Sequence, residues 1–301
     1  MSHKLSNNGA WYRIAWPYLL TAVAPLCWGG NIVLARGVAD IIPPVSFAFW
    51  RWMIAFLILL PFTWRTACND WPVVVKSWKV MCVLSILGIS FFNTMLYAAV
   101  HTTTAINGAM IQTSMPAVII LATLVLFKER VSGLQILGVA ICFVGAFIVI
   151  LRGRWDTLLE MSFAPGDILI MSAVFLYALY SALLRRRPAI HPLSFLIYSF
   201  GIGIIFLLPL YVWEQTGSAT MNLTRPVILS ILYVAVFPSI VAYFCWNRGV
   251  EVLGANRTGL FINLIPVFAS VLAILFLGES LQAFHLIGMG LIFGGMILFN
   301  R

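Results

Sequence analysis

Two short runs place aromatic rings beside hydroxyl or amide groups at helical spacing. Their members are Tyr177, Tyr180 and Ser181 in the first run and Tyr243, Trp246 and Asn247 in the second. Residues at i, i+3 and i+4 share one face of a helix. Rings stack against flat or apolar groups and attract an ammonium by cation–π contact, at about 0.5–2 kcal/mol each. The two runs therefore predict binding of a small solute rather than catalysis.

Further uncharged polar side chains lie inside apolar segments. They are Trp28, Asn31, Asn93, Tyr97, Gln112, Ser114 and Asn263. An amide that faces lipid is costly, so we expect the five amides to point into the protein, namely Asn31, Asn93, Gln112, Asn247 and Asn263. Together with the two runs, the uncharged polar side chains form the predicted lining of a substrate-binding cavity. The alternative for each residue is that amides join helices while rings fill space or lie at the membrane interface.

Charged side chains are almost absent from the apolar segments. All nine acids fall in predicted loops or at predicted helix ends, which disfavours a multidrug antiporter that trades protons at a buried carboxylate. Arg51 is the exception, roughly 10 Å inside its segment at 1.5 Å per residue. It either extends outward, pairs with a helix-end carbonyl or a loop acid, or binds a substrate carboxylate. One cation is too few for a sugar-phosphate carrier.

No cluster of His, Asp, Glu or Ser has the spacing of a catalytic or metal site. The sequence therefore predicts no catalytic residue, no metal, no cofactor and no enzyme activity. A channel is also disfavoured, because no charged ring or filter-like loop is present.

The composition requires a bilayer around most of the chain. Of 301 residues, 62% are hydrophobic and 9% charged, against about 25% charged in soluble domains. A helix needs about 20 mainly apolar residues to cross the hydrocarbon core. Ten such segments are predicted: Trp16–Ala35, Pro44–Trp64, Trp78–Val100, Thr104–Phe127, Leu134–Leu151, Pro165–Leu184, Pro192–Trp213, Pro226–Val250, Gly254–Leu277 and Ala283–Phe299.

The Lys and Arg residues predict the orientation. With a cytoplasmic N-terminus, 13 of the 18 lie in inner segments and 4 in outer loops, a clear positive-inside pattern. Both termini are then cytoplasmic. The net charge of +9 becomes a topology signal, and it does not indicate a nucleic-acid partner.

A shift of 150 residues aligns the two halves of the chain. The matched pairs are Ala105/Ala255, Pro116/Pro266, Glu129/Glu279, Gly138/Gly288, Phe143/Phe293 and Gly145/Gly295. Five segments per half place the second copy upside down in the membrane. The predicted repeats are residues 1–153 and 162–301. Inverted repeats of this kind build transporters with a substrate site near the midplane between the halves.

Matched helix-breaking residues predict where the helices bend. Pro116 and Pro266 lie mid-segment, and Gly88 matches Pro238 at the same shift. A proline frees a backbone carbonyl and bends its helix, so all four positions are predicted hinges or cavity-shaping kinks. The paired glycines (with Gly290 and Gly294) suit close helix packing, either within the fold or in a dimer. Glu129 and Glu279 are expected to cap neighbouring helix N-termini.

These residues resemble the EamA-type, ten-helix branch of the drug/metabolite transporter superfamily. The resemblance rests on the order of loose motifs: Trp28-Gly29-Gly30-Asn31, Pro43-Pro44, Arg51, Tyr97-Ala98, Ala105, Pro116, Glu129 and Gly138, then Gly166-Asp167, Tyr177-Ala178-Leu179-Tyr180, Ala255, Pro266, Glu279, Gly288 and Gly295. It implies a bundle of ten helices around a central cavity and export of small metabolites. Within the branch the chain looks most similar to aromatic and neutral amino-acid exporters.

The sequence thus predicts an all-α, multi-pass protein of a bacterial inner membrane that exports amino acids, aromatic ones first, by alternating access. Its partners are the substrate and the lipid bilayer, and monomer and homodimer remain open. A drug or quaternary-amine efflux protein of the same superfamily is the alternative. A membrane scaffold without transport is a further one.

Overall fold

The structure, a computed structural model, describes residues 8–128, 132–153, 164–217, 221–254 and 258–299. These residues form ten helical segments and no strand. They are α1 Asn8–Gly37, α2 Pro44–Lys76, α3 Trp78–Ala99, α4 Ala105–Phe127, α5 Gly133–Ile150, α6 Pro165–Leu183, α7 Pro192–Gln215, α8 Arg225–Leu253, α9 Phe261–Leu277 and α10 Ala283–Phe299. Eight are long and apolar enough to cross a membrane, and α9 and α10 are shorter apolar helices.

Helix α2 is longer than its apolar segment. It continues past Trp64 to Lys76, so the predicted end of this helix was wrong. Hydropathy reports the length of the hydrocarbon-facing part, whereas a helix continues wherever packing supports it. The extra turns pack against α7, where the Tyr198 hydroxyl donates to the Ala67 carbonyl at 2.7 Å and the ring lies 5.9 Å from Trp71.

The helix contacts follow a two-fold pattern. Helix α1 packs against α8 and α9, and its repeat partner α6 packs against α3 and α4. Helices α2 and α7 pack against each other, as do α5 and α10. A shift of five helices converts each of these contacts into another of them or into itself, so the two halves are related by a pseudo-two-fold symmetry. The odd number of helices per half makes one half an inverted copy of the other. The predicted all-α fold of two inverted five-helix repeats is confirmed.

Helices α5 and α10 cross at the glycine pairs. A Cβ on Gly145 would lie 2.6 Å from the Gly288 carbonyl oxygen, and one on Gly295 would lie 2.5 Å from that of Gly138. At the centre of the crossing the Cys142 thiol contacts the Ile292 carbonyl at 3.3 Å. Without a hydrophobic drive between helices in lipid, close backbone approach supplies the packing energy.

These four glycines pack closely within the described fold, whereas Gly290 and Gly294 do not, so for those two a dimer contact stays a prediction. In the described part of the chain, no atom lies within 4 Å of a Cβ built on Gly290 or Gly294. They lie on other faces of α10, because residues two and six positions from Gly288 do not share its side of a helix.

Four helices depart from regular α geometry. Helix α3 contains a π-helical stretch at Ile86–Phe91 and α8 one at Ala235–Val241, so the two stretches hold Gly88 and Pro238. Helix α4 ends a first half at Gln112 and starts again at Met115. A 3₁₀ turn, Leu260–Leu264, starts one residue before α9, and regular α-helix follows from Ile265. Pro116 and Pro266 are each the second residue of the later half, a position that needs no N–H donor.

Candidate functional site

A layer of aromatic side chains fills the middle of the bundle. Trp28 of α1 lies 5.2 Å from Trp246 of α8 and 5.7 Å from Tyr177 of α6, measured between ring centroids. Phe92 of α3 lies 4.6 Å from Tyr177, and Tyr180 lies 5.2 Å from it. The two aromatic runs identified in the sequence therefore meet between the halves, because both helices direct one face inward.

Arg51 lies fully buried beside this layer. Its Nη1 donates to Asn93 Oδ1 and to the Tyr97 hydroxyl, both at 2.7 Å. Its Nε donates to the Ser239 hydroxyl, and its guanidinium carbon lies 4.5 Å from the centre of the Trp52 ring. Among the described residues no carboxylate forms an ion pair with it. Arg51 therefore places an uncompensated positive charge in the protein interior.

Two predicted alternatives for Arg51 were wrong. The side chain does not extend outward, and it pairs with no loop acid of the described chain. It reaches a backbone carbonyl in the middle of a helix instead. The π-helical stretch of α8 turns the Pro238 oxygen away from the helix, where it accepts from Arg51 Nη2 at 3.0 Å and from Trp28 Nε1 at 3.1 Å.

The matching stretch in α3 does the same in the other half. The Gly88 carbonyl accepts from the Tyr243 hydroxyl at 2.5 Å and from Asn93 Nδ2 at 3.2 Å. Asn93 also donates to the Tyr243 hydroxyl at 3.3 Å. At the 150-residue shift, Asn93 and Tyr97 correspond to Tyr243 and Asn247. The order of amide and phenol is thus reversed between the repeats, and the inner pair meets at the pseudo-two-fold axis.

A closed cavity lies between the halves. It is lined by five of the predicted residues together with Ile32, Phe92, Leu96, Met115, Ile262 and Ile265. The five are Trp28, Asn31, Asn93, Gln112 and Tyr177. Its volume is about 10 Å³, room for roughly one water molecule. A solute the size of an amino acid fits here only after the helices move apart.

A second, open cavity of about 910 Å³ enters from the face at which α1 begins, here called the N-terminal face. Helices α4, α6 and α8 end around it, and its lining includes Thr123, Arg185, Arg187 and Glu251. Asn247 forms part of its wall and accepts a hydrogen bond from the Tyr180 hydroxyl at 3.1 Å. This vestibule thus leads from one membrane surface to the aromatic layer.

The opposite face, here called the far face, is closed by carboxylates that bind helix N-termini of the other half. Glu279 accepts from the backbone N–H groups of Ala105 and Ile106 at 2.8 and 2.9 Å, which caps α4. Glu214 accepts from Val45 and Ser46, which caps α2. Glu279 therefore caps a helix of the other half, far from it in sequence, and not the helix that follows it in the chain. Glu129 lies outside the described residues.

Asp167 adds a third carboxylate at the far face. It is fully buried in the first turn of α6 and accepts from the Thr103 hydroxyl and from Asn107 Nδ2, at 2.5 and 2.6 Å. Its place at a helix end agrees with the sequence prediction, but its burial does not follow from the sequence. Gly166 makes this packing feasible, because a Cβ there would clash with the Ala99 carbonyl.

The other predicted residues do not line the closed central cavity. Tyr97 donates to Asn31 Oδ1 at 2.9 Å and so connects Arg51 to the wall. Ser181 is fully buried in α6, one turn beyond Tyr177, and Asn263 is buried in the 3₁₀ turn of α9. Ser114 donates to the Ile111 carbonyl of its own helix at 2.8 Å.

Sequence reasoning missed Ser239 and Trp52. Ser239 follows Pro238, and Trp52 follows Arg51. The sequence singled out Arg51 as a buried charge and Pro238 as a kink, but which atoms the guanidinium reaches depends on how α2 crosses α8. That geometry is tertiary.

The arrangement is suited to binding a solute and changing access to it. Across the described ranges, no group of three or more His, Cys, Asp or Glu side chains has the geometry to hold a metal ion. Inverted repeats, a closed midplane cavity and a vestibule on one face define the class: a multi-pass membrane transporter.

Sequence comparison places the chain within that class. The sequence profile of the EamA-like transporter family matches residues 15–151 and again residues 164–301. The chain belongs to this family and carries two copies of its repeat.

Relatives extend over most of the chain at low identity. The uncharacterized transporter YyaM of Bacillus subtilis is 28% identical over 281 residues, covering 93% of this chain and 92% of its own. The protein PecM of Dickeya dadantii is 25% identical over 280 residues, with 91% and 89% covered. A probable terminal-alkyne amino-acid exporter of Streptantibioticus cattleyicolor is 26% identical over 215 residues, with 71% and 70% covered.

A solved crystal structure shares the fold, with a TM-score of 0.68, 17% identity and coverage of 94% of this chain and 96% of the other. With the family match, the chain is a multi-pass transporter of the bacterial inner membrane.

Proposed function

We propose that this transporter exports aromatic and other neutral amino acids by alternating access between its two inverted halves. The observation that carries the proposal is the buried charge of Arg51. A guanidinium without a carboxylate partner in the interior is costly, and a substrate that brings a carboxylate offsets that cost. Arg51 contacts Asn93 directly and Asn31 through Tyr97, and both amides line the closed cavity.

The aromatic layer accounts for the rest of the substrate. Rings at Trp28, Phe92 and Tyr177 present apolar surface to a side chain and their faces to an ammonium group, at about 0.5–2 kcal/mol per contact. A zwitterion with a flat side chain matches the buried charge of Arg51 with its carboxylate, the apolar ring surface with its side chain and the ring faces with its ammonium. The relative named as a probable amino-acid exporter supports the same solute class.

Access begins at the vestibule on the N-terminal face, which the positive-inside pattern predicts to be cytoplasmic. Export then requires this face to close while the far-face caps release. The interruptions at Gly88, Pro116, Pro238 and Pro266 are the positions where the helices can bend, because their hydrogen-bond ladders are already broken there. No acid lies in the described part of the central layer, so the proposed driving force is the substrate gradient.

Efflux of drugs or quaternary amines is the competing function within the family. The aromatic layer would accept such cations. Arg51 opposes them, because a second positive charge near a buried guanidinium is repelled without bulk water to screen it.

The test is uptake into proteoliposomes that contain the full chain. We expect saturable uptake of radiolabelled phenylalanine and tryptophan that does not depend on an imposed pH gradient, and no uptake of benzyltrimethylammonium. Phe92→Ala should raise KM about tenfold or more, because it removes a ring from the cavity wall. Phe62→Ala is the matched control, because the Phe62 side chain is 78% exposed on the outer surface of the bundle.

Uptake of the quaternary amine driven by a pH gradient, with no amino-acid uptake, would replace the proposal with the efflux function. Equal KM values for Phe92→Ala and Phe62→Ala would show that the solute does not pass through the central cavity.

A further inference from the structure

Four buried side-chain atoms on α6 and α8 have no hydrogen-bond partner among the described residues, and one of them belongs to Asn247 of the vestibule wall. The atoms are the Tyr177 hydroxyl, Ser181 Oγ, Trp246 Nε1 and Asn247 Nδ2. Each side chain is 97% or more buried. We call this set the donor cluster, since all four groups can donate a hydrogen bond and the indole and amide nitrogens can only donate.

The cluster lies on two packed helices. Tyr177 and Ser181 are one turn apart on α6, and Trp246 and Asn247 are adjacent on α8. The rings of Tyr177 and Trp246 lie 6.0 Å apart, and Tyr180 of α6 donates to Asn247 Oδ1 at 3.1 Å. That bond fixes the orientation of the amide, so its Nδ2 is directed away from Tyr180 and remains available.

The equivalent positions of the first repeat form a hydrogen-bonded pair that the described residues of the second repeat lack. At the 150-residue shift, Ser181 and Asn247 correspond to Asn31 and Tyr97, which hydrogen-bond to each other at 2.9 Å and connect to Arg51. Arg51 itself corresponds to Gly201. The first repeat therefore completes its polar pair with its own side chains, whereas the second repeat leaves donors without an acceptor. Buried polar groups in folded proteins are almost always paired, so donors that no described side chain satisfies are suited to an acceptor from a bound solute.

The vestibule connects one member of the donor cluster, Asn247, to one membrane surface. Asn247 lies on its wall together with Leu184, Arg187 and Val250. The local charges are Arg185 and Arg187 against Glu251 and Asp70, and Arg187 is already paired with Glu251 at 3.2 Å. An acceptor can therefore approach from this side without passing the closed central cavity.

We propose that the donor cluster is the entry site for the carboxylate of the transported solute, which it holds through neutral donors before the closed central cavity opens and the solute reaches Arg51. Asn247 Nδ2 and Trp246 Nε1 donate to the carboxylate oxygens, and the Ser181 and Tyr177 hydroxyls complete the set. Hydrogen bonds from neutral donors to an ionised acceptor are shorter and stronger than neutral pairs. The proposal rests on the transport function above and assigns the polar half of its site.

The experiment measures binding to the full chain in nanodiscs by isothermal titration calorimetry. Three probes share a phenyl ring: phenylalanine, phenylpropionate (a carboxylate without an ammonium) and phenylethylamine (an ammonium without a carboxylate). Asn247→Asp keeps the size of the side chain and the oxygen that Tyr180 contacts, but exchanges the free donor for a carboxylate oxygen. Trp246→Phe keeps a ring in the aromatic layer and removes only the N–H donor.

In the wild type we expect phenylalanine and phenylpropionate to bind and phenylethylamine to bind at least tenfold more weakly. Trp246→Phe should weaken both carboxylates about tenfold or more, the size of one hydrogen bond to a charged group, and leave phenylethylamine unchanged. Asn247→Asp should reverse the preference, because like charge repels the carboxylates and attracts the amine. Ser172→Ala, an exposed hydroxyl on α6 bonded to its own helix, is the matched control.

The outcomes separate this inference from the proposed function. Binding of phenylpropionate without phenylalanine, lost in both variants, would keep the entry site and overturn the amino-acid assignment. Wild-type-like affinities in both variants, with phenylalanine bound, would overturn the entry site and show that water satisfies the four donors. No carboxylate binding in the wild type would overturn both.

Discussion

Arg51 concentrates the energetics of the site in one side chain. Its guanidinium donates to groups on α3 and α8 at once, so it joins a helix of the first half to the irregular stretch of the second. The planar fork of an arginine can satisfy several acceptors in fixed directions, whereas a lysine ammonium is a point charge on a flexible stem. Charge and geometry at this position can therefore be separated by substitution.

We expect Arg51→Lys to keep part of the transport activity and Arg51→Gln to lose it, with kcat/KM for phenylalanine at least tenfold lower for Gln than for Lys. The retained charge still attracts a carboxylate, while the glutamine does not. Thermal unfolding in detergent should show that Arg51→Gln remains folded, because removing an unpaired buried charge relieves desolvation. Equal activities of the two variants would show that transport does not depend on a positive charge at this position.

The helices contribute two kinds of special position. The π-helical stretches of α3 and α8 present the Gly88 and Pro238 carbonyls to side chains of other helices, so the irregular backbone is part of the site. The crossing of α5 and α10 has the opposite character. Four matched glycines bring two backbones into contact, and the Cys142 thiol donates to the Ile292 carbonyl between them.

Gly145→Ala is expected to destabilise the protein by about 1–3 kcal/mol, because its Cβ would lie 2.6 Å from the Gly288 carbonyl oxygen and backbone must move. Gly290→Ala, on the partner helix α10 but in open space, should be neutral or slightly stabilising, since alanine favours a helix over glycine. The apparent Tm of each purified variant measures the difference. A similar loss in both would show that the crossing is not the cause.

At the scale of the whole molecule, the two faces differ although the halves share one pattern. The N-terminal face carries the open vestibule, while Glu214 and Glu279 tie together helices of opposite halves at the far face. A carboxylate that accepts two backbone N–H groups at a helix N-terminus is stabilised by hydrogen bonds and by the helix dipole. Such caps favour the conformation in which the far face is closed.

Replacing both acids with glutamine should shift the population toward an open far face. The reporter is Val250→Cys, on the vestibule wall, in a chain without its native cysteines and labelled by a membrane-impermeant maleimide. Labelling should occur in inside-out vesicles and not in intact cells, and the double variant should label several-fold more slowly. Asp40→Asn, at an exposed far-face acid, should label at the unaltered rate. Labelling in intact cells would show that the vestibule opens to the outside and that the predicted orientation is wrong.

The sequence by itself determined the membrane-spanning class, the ten segments, the repeat and the family, because each depends on hydropathy and spacing along the chain. It also identified most of the polar and aromatic residues that meet between the halves, since an amide inside a spanning helix has few places to point. Tertiary structure decided the rest. The acceptors that Arg51 reaches, the glycines that touch, the cap of Glu279 on α4 and the donors of the second repeat that have no partner among the described residues all depend on how the helices cross. No periodicity within one helix encodes a contact between two.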